Sequence, residues 1–229
     1  QPYSAFINDV NPQLINLYRQ IQSDPEKLIS AVNALDAEEC NAELYLKNRE
    51  EYNQRIKENI TDSFTASLFI WLNKHCFNGL YRVNSKGFFN VPYNNRSKGS
   101  SIDRENIRYM SKYLKKVKMS CLDFEEAVKN AAQGDFVYFD SPYFPESPTA
   151  NFTSYAKGGF LPEDHERLAG VFKELDEKGV KVMLSNNDVE DVRELYSGYR
   201  IGSFEVKRMI NSDANKRRGK EVIVTNYDY

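Results

Sequence analysis

Paired cysteines, long apolar runs and a surplus of either charge are all missing from this sequence. Its three cysteines, Cys40, Cys76 and Cys121, are odd in number and never stand as Cys-x-x-Cys. That argues against a zinc site and a secreted disulfide framework, and for a reducing, cytoplasmic setting. No stretch approaches the roughly 20 apolar residues of a membrane-spanning helix. The opening QPYSAFINDV has neither the basic nor the apolar region of a secretion signal. Neither a membrane nor a metal is therefore expected as a partner. The formal net charge is only −2, which by itself rules out nothing, and there is neither a low-complexity tract nor an internal repeat.

What remains is an ordinary globular composition, 41% hydrophobic and 28% charged, in 229 residues. That length can bury one large core, or one domain with a smaller insertion. Basic residues still gather locally, at KYLKKVK (112–118) and KRRGK (216–220), so a basic face can coexist with a near-neutral total.

A short buried strand is expected at 3–7, ending at Asn8-Asp9. The i, i+3, i+4, i+7 spacing of Leu14, Leu17, Tyr18 and Ile21 predicts a helix from Pro12 to Ile21. Asp24-Pro25-Glu26 is a helix start with Asp24 as cap, leading into Leu28, Ile29 and Val32. Helices are expected over 38–60, over 63–74 with Phe64, Leu68, Trp71 and Leu72 on the apolar face, and over 103–117. Between the last two, NGLYRVNSKGFFNVPYNNRSKGSS is rich in Gly, Asn, Ser and Arg and reads as a projecting hairpin or loop.

The second half has a strand–helix–strand rhythm. Phe136–Phe139 is a strand; 162–178 is a helix with Leu168, Val171, Phe172 and Leu175 on one face and Gly179 at C′; Val180–Leu184 is the next strand. Continuous apolar strands around a helix predict a parallel sheet covered on both faces. Two more strands, near 200–207 and 221–227, are close enough to form a hairpin at the sheet edge.

FVYFDSPYFP (136–145) ends the first of these strands on Asp140. In an open parallel sheet, ligands bind beyond the carboxyl ends of the strands. Alone, Asp-x-Pro-Tyr has a plain reading, in which Asp140 caps a turn and Tyr143 packs on the core. It also has a chemical one. Asp140 and the carbonyl of Ser141 accept both hydrogens of an exocyclic amino group, Pro142 holds the turn, and Tyr143 stacks on the ring. Two acceptors on one amino nitrogen favour its lone pair as a nucleophile toward an electrophilic methyl group, without a metal or a covalent enzyme intermediate.

That corner resembles the Asp-Pro-Pro-Tyr motif of DNA adenine-N6 methyltransferases. Its surroundings look like the Dam and DpnII type, the D12 class: NGLYRVNSKGFFNVPY (78–93), GDFVYFDSPYFP (134–145), ANFTSY (150–155), VMLSNN (182–187) and GKEVIVTNY (219–227), in that order. The resemblance implies an α/β fold, a class I S-adenosylmethionine-dependent methyltransferase-like (Rossmann-like) sheet. Its activity is methyl transfer from S-adenosyl-L-methionine to N6 of an adenine flipped out of double-stranded DNA. The implied layout is a catalytic domain of 1–35 and 118–229, with a helical target-recognition region of 36–117 inserted and its hairpin at 78–98. Asp140, Ser141, Pro142 and Tyr143 match the catalytic corner. Ser141 replaces the first proline; serine still supplies the main-chain carbonyl, so amino-group binding should be weakened rather than abolished.

On the cofactor side, Asp9 is placed to accept both ribose hydroxyls, although it could instead cap the following helix, for which Asn11 is better suited. Asp123 and Phe124 match the segment flanking the cofactor adenine, and Asp140 borders the same site. On the DNA side, Leu80 matches a residue that wedges into the duplex and Arg82 one that reads a guanine. Asn78 and Pro92 match flanking contacts. Relatives run Gly-Arg-Tyr-Lys after Asn-Val-Pro, where this chain has Asn94-Asn95-Arg96, so Arg96 is that arginine displaced by one position. A GATC target is the implied sequence. Lys216, Arg217, Arg218 and Lys220 read either as a phosphate-contacting loop or as a solvated one, and His75 and His165 as structural.

Relatives also carry an N-terminal Trp/Lys motif and a glycine-rich Phe-x-Gly-x-Gly turn ahead of the Ile-Asn-Asp segment, and neither occurs here. Either a separate N-terminal segment supplies them, or the chain is a truncated polypeptide. The alternative function is then a catalytically inactive DNA-binding module derived from such an enzyme. Methylation of cytosine N4 or of RNA lacks support from the context at 78–93.

Overall fold

The computed structural model of the chain describes residues 4–96, 99–145, 155, 158–207 and 218–228. Two compact units emerge, residues 1–123 with 155–157 and residues 124–154 with 158–229. Both mix helices and strands, and among the described residues no helix is long and apolar enough to cross a membrane.

The first unit opens with β1 (Ala5–Asn8), followed by α1 (Pro12–Ser23), α2 (Pro25–Leu35), α3 (Ala42–Lys57), α4 (Ser63–His75), α5 (Arg104–Leu114) and β2 (Val117–Ser120). Helix starts follow side chains able to accept backbone N–H groups. Asn11 accepts from Gln13 and Leu14, Asp24 from Lys27, Asn41 from Leu44 and Asp62 from Thr65. Helix α4 is buried on two sides. Ala66 joins Leu28, Ile29 and Val32 of α2, while Leu68, Trp71 and Leu72 join Tyr45 and Tyr52 of α3. Fully burying one such side chain stabilises by about 1.5–3 kcal/mol. The Arg55–Asp62 ion pair at the start of α4, half open to solvent on the Asp62 side, contributes about 0–1 kcal/mol. Packing therefore decides where this helix lies.

Four readings of the sequence need correction. The first strand pairs through Ala5–Asn8 and is not buried, since Phe6 is 51% exposed. The helix expected over 103–117 stops at Leu114, and Val117–Ser120 is a strand parallel to β1, with Ala5 opposite Val117. Phe64 lies outside the core, with the Arg55 guanidinium 5.0 Å from its ring centre. On α1, Ile15 is fully buried whereas Leu14 and Tyr18 are only half-buried.

The hairpin is irregular, held by isolated bridges between Val83 and Phe89 and between Cys76 and Tyr93. Its turn forms because the Asn84 side chain accepts from the Lys86 and Phe88 N–H groups, with Gly87 at φ +85°. Helix α3 substitutes for a missing strand. The Asn53 amide donates to the Phe89 carbonyl (3.0 Å) and accepts its N–H (2.8 Å), and Tyr45 donates to the Val91 carbonyl (2.8 Å).

The second unit contains α6 (Phe124–Val128), β3 (Phe136–Phe139), α7 (Pro162–Glu177), β4 (Lys181–Asn187), α8 (Glu190–Leu195), β5 (Arg200–Lys207) and β6 (Arg218–Thr225). Strand order is β3-β4-β6-β5, with β3 and β4 parallel and the other neighbours antiparallel. The predicted strand–helix–strand unit and C-terminal hairpin are present, but β6 lies inside the sheet and only β5 at its edge. Leu168, Val171, Phe172 and Leu175 of α7 bury against Val182, Leu184, Val222 and Val224. The Asn226 amide fastens the end of β6. It accepts the Val182 N–H (2.7 Å) and donates to Asp176 (2.7 Å) and the Val180 carbonyl (2.8 Å). Coverage of both faces is the further correction, because Phe136 and Tyr138 are 57% and 50% exposed.

Candidate active site

Asp140 is the first residue beyond β3, immediately after the buried Phe139. Its carboxylate is exposed and accepts from Ser185 Oγ through Oδ1 (3.3 Å), and the Tyr138 phenol lies 3.0 Å behind the same hydroxyl. The turn that follows is clamped from the end of β4. Asn186 Oδ1 accepts the Phe144 N–H (2.8 Å) and Asn187 Nδ2 donates to the Phe144 carbonyl (2.7 Å). Tyr143 is half-buried and its hydroxyl donates to Glu221 Oε2 on β6 (3.2 Å). Burial, reinforced by the carboxylates of Glu221 and Asp140, holds this phenol above its ordinary pKa, so the ring stays neutral. Ser141 Oγ is shielded from solvent without a hydrogen-bond partner, leaving the main chain as what residue 141 offers the corner.

Behind the corner, His165 is enclosed by Phe144 (4.8 Å between ring centres) and Phe160 (4.7 Å). Phe124, the first residue of α6, has the Arg167 guanidinium 4.1 Å from its ring centre.

The remaining expected residues belong to the first unit. Asp9 follows β1 and is half-buried. It accepts the Asn11 N–H at Oδ1 (2.7 Å) and the Tyr155 hydroxyl at Oδ2 (3.1 Å), while Asn11, not Asp9, caps α1. Asn8 ties this end of β1 to the residues beyond β2, through both backbone groups of Leu122 (2.9 and 3.0 Å). Asp123 comes next and is exposed. On the hairpin, Asn78 is exposed at φ +54°, and Leu80 is half-buried against the Tyr45–Trp71 cluster. Arg82 is exposed and donates from Nε to Asn90 Oδ1 (2.8 Å). Pro92 is exposed and its carbonyl accepts the Phe77 N–H (2.8 Å); Arg96 is exposed too, with its carbonyl 3.4 Å from His75 Nδ1.

Residues 97–98 of the hairpin, 150–154 of ANFTSY, and Lys216 and Arg217 lie outside the described residues; Lys220 is exposed on β6. Ser185, Asn186, Asn187, Glu221 and Tyr155 were assigned no role from the sequence. For Ser185, Asn186 and Asn187 the signal was a run of polar residues ending an apolar strand, in Leu184-Ser185-Asn186-Asn187. Among the described residues no group of three His, Cys, Asp or Glu side chains is placed to hold a metal ion.

An acid, a half-buried tyrosine and a proline-containing turn stand together at the carboxyl end of a parallel strand. The chain belongs to the D12 class of N6 adenine-specific DNA methyltransferases, whose family model matches residues 1–210. It is thus an S-adenosylmethionine-dependent enzyme acting on adenine in DNA. Among its relatives, the type II methyltransferase M1.LlaDCHI of Lactococcus lactis subsp. cremoris is 44% identical, over 99% of this chain and 80% of the relative. The type II methyltransferase M.MjaIII of Methanocaldococcus jannaschii is 40% identical, over 97% and 80%. A DNA adenine methylase of Vibrio cholerae is 34% identical, over 91% and 74%.

Proposed function

We propose that this chain methylates adenine N6 within GATC in duplex DNA, on a base flipped out of the helix. The observation that carries the reading is the exposed Asp140 carboxylate, held by Ser185 beside a clamped Tyr143. Asp140 accepts one N–H of the amino group and the Ser141 carbonyl accepts the other. Drawn to two acceptors, the nitrogen presents its lone pair, and Asp140 is in reach of the proton it sheds on methylation. Tyr143 stacks on the purine, which offsets part of the cost of unstacking it.

S-adenosylmethionine supplies the electrophilic methyl group when bound. The chemistry of the donor set fits it. Asp9 is an acceptor oriented at Oδ1 by the Asn11 N–H and at Oδ2 by the Tyr155 hydroxyl, the kind of group that receives ribose hydroxyls. We assign Asp9 to the ribose hydroxyls, Asp123 and Phe124 to the cofactor adenine, and Asp140 to the border of both substrates. Arg82 reads a guanine, Leu80 supports the gap left by the flipped base, and Asn78, Pro92 and Arg96 make flanking contacts.

In this reading 1–35 and 118–229 form the catalytic domain and 36–117 the inserted recognition region. The fold is class I methyltransferase-like. Its support is that, among the described residues, β1 pairs only with β2 and β3 only with β4, so each has an edge open to another parallel strand. A cytoplasmic setting suits the DNA substrate and the free thiols Cys40 and Cys76.

Tritiated methyl transfer tests the proposal, with GATC duplex and duplexes altered at each base, using the chain alone and supplemented with a segment bearing the glycine-rich turn. Incorporation confined to GATC is expected. A folded sample that binds duplex but neither takes up cofactor nor transfers methyl in either form would instead be a silent DNA-binding module.

A further inference from the structure

The Ile7-Asn8-Asp9 turn is contacted by a residue 146 positions away. Tyr155 donates its hydroxyl to Asp9 Oδ2 over 3.1 Å. Its ring meets Tyr81 edge-on, with centres 5.6 Å apart and planes at 62°. Tyr81 lies between Leu80 and Arg82 on the hairpin, and is itself stacked on Phe69 of α4 (5.2 Å, 23°) and tilted against Phe89 (5.6 Å). The phenol is thus wedged between the carboxylate that follows β1 and the aromatic root of the hairpin. Burial, and then the charge of Asp9, pushes the Tyr155 pKa well up, so the hydroxyl remains a donor throughout the physiological range.

A carboxylate can turn about its own bonds. A hydroxyl donor on Oδ2, opposite the Asn11 N–H on Oδ1, restrains that turning before any ligand arrives, and such preorganisation is worth affinity. We propose that Tyr155 is a positioning residue of the cofactor site: its hydroxyl fixes the ribose-accepting Asp9, and its seat on Tyr81 couples cofactor affinity to the DNA-reading hairpin. This rests on Asp9 being the ribose acceptor, as proposed above. Coupling of this kind is reciprocal, so a duplex that engages the hairpin tightens cofactor binding and the cofactor tightens duplex binding by the same factor.

Calorimetry with S-adenosylhomocysteine tests it on four chains: unaltered, Tyr155→Phe, Asp9→Ala and the double variant, each first shown by thermal melting to be folded. Tyr155→Phe keeps the ring and loses only the hydrogen bond. It should bind about fivefold more weakly, as expected for one bond to a charged acceptor. In the Asp9→Ala background it should change nothing. At saturating cofactor the turnover of Tyr155→Phe stays within about twofold of the unaltered chain while its KM for cofactor rises. Repeated with GATC duplex bound, the titration should show tightening in the unaltered chain that Tyr155→Phe lacks.

Unaltered affinity in Tyr155→Phe beside weakened affinity in Asp9→Ala overturns the proposal and leaves the ribose assignment standing. Equal losses with and without Asp9 overturn it as well. Unaltered affinity in Asp9→Ala removes the ribose assignment, and this proposal with it. An equal effect of duplex on both chains overturns the link to the hairpin.

Discussion

Ser185 Oγ donates to Asp140 Oδ1 across 3.3 Å, so the ends of β3 and β4 are joined through side chains where their backbone ladder stops. With the Tyr138 hydroxyl 3.0 Å from Ser185, the three groups form a chain that aims one oxygen of the Asp140 carboxylate. Ser185→Ala should slow single-turnover methyl transfer by about 5–10-fold, the worth of one hydrogen bond to a charged group. Affinity for duplex should hardly move. Asp140→Ala should cost about 10²–10⁴-fold in the same assay, and a loss no larger than that of Ser185→Ala would remove Asp140 from the chemistry.

The Tyr143 ring and its hydroxyl are separable. The hydroxyl is spent on Glu221, so Tyr143→Phe should keep kcat/KM within about threefold, whereas Tyr143→Ala loses the stacking surface. Base–aromatic stacking is worth about 1–3 kcal/mol, which predicts a fall of roughly 5–150-fold in kcat/KM for Tyr143→Ala. Steady-state kinetics on a short duplex measures both variants, and matched losses would mean that the hydroxyl, not the ring, is what the substrate needs.

Arg82 is held across the hairpin by Asn90, an arrangement that points a guanidinium outward in a set direction. A bidentate contact to guanine O6 and N7 is worth about 1–3 kcal/mol of discrimination. Arg82→Ala should therefore relax preference at one base pair of the target by that amount, read by competition between duplexes differing at single positions. A uniform weakening across all duplexes, with a shallower salt dependence, would make Arg82 a phosphate contact instead.

Acid should loosen the second unit once the pH falls below about 6.5. Burial between Phe144 and Phe160 pushes the His165 pKa below its ordinary value, against the smaller opposing pull of Asp164. The folded chain keeps this ring neutral while the unfolded chain protonates it near pH 6.5. Below that pH the unfolded state binds more protons, so the stability tied to neutral His165 is intact above about 6.5 and declines as pH falls. The melting temperature should drop more between pH 7.5 and 5.5 for the unaltered chain than for His165→Phe. Buried His75 shifts in the same direction and leaves a residual drop in the variant.

Local chemistry was legible in the sequence and long-range pairing was not. Asp24 and Asn11 cap helices because a short acceptor side chain before an amphipathic run acts within four residues. The place of Asp140 at the end of β3 was readable, since an apolar run closing on an acid marks a strand end without a distant partner. Strand β2 was missed because the lysine-rich stretch before it, 112–116, looks helical and its pairing with β1 spans more than 100 residues. Tyr155 and Glu221 escaped notice for the same reason: their contacts with Asp9 and Tyr143 join segments 146 and 78 residues apart. Phe64 was misplaced because helical periodicity shows which residues share a face but not which face Arg55 will shelter.

Strand β6 is translated after every other described strand, yet it sits between β4 and β5 and is riveted by Asn226 to the start of β4. A nascent polypeptide halted upstream of Arg218 consequently lacks the Glu221 partner of the Tyr143 hydroxyl, and β4 presents a raw flank. Unfinished copies thus expose an unpaired strand edge on which other chains can pair.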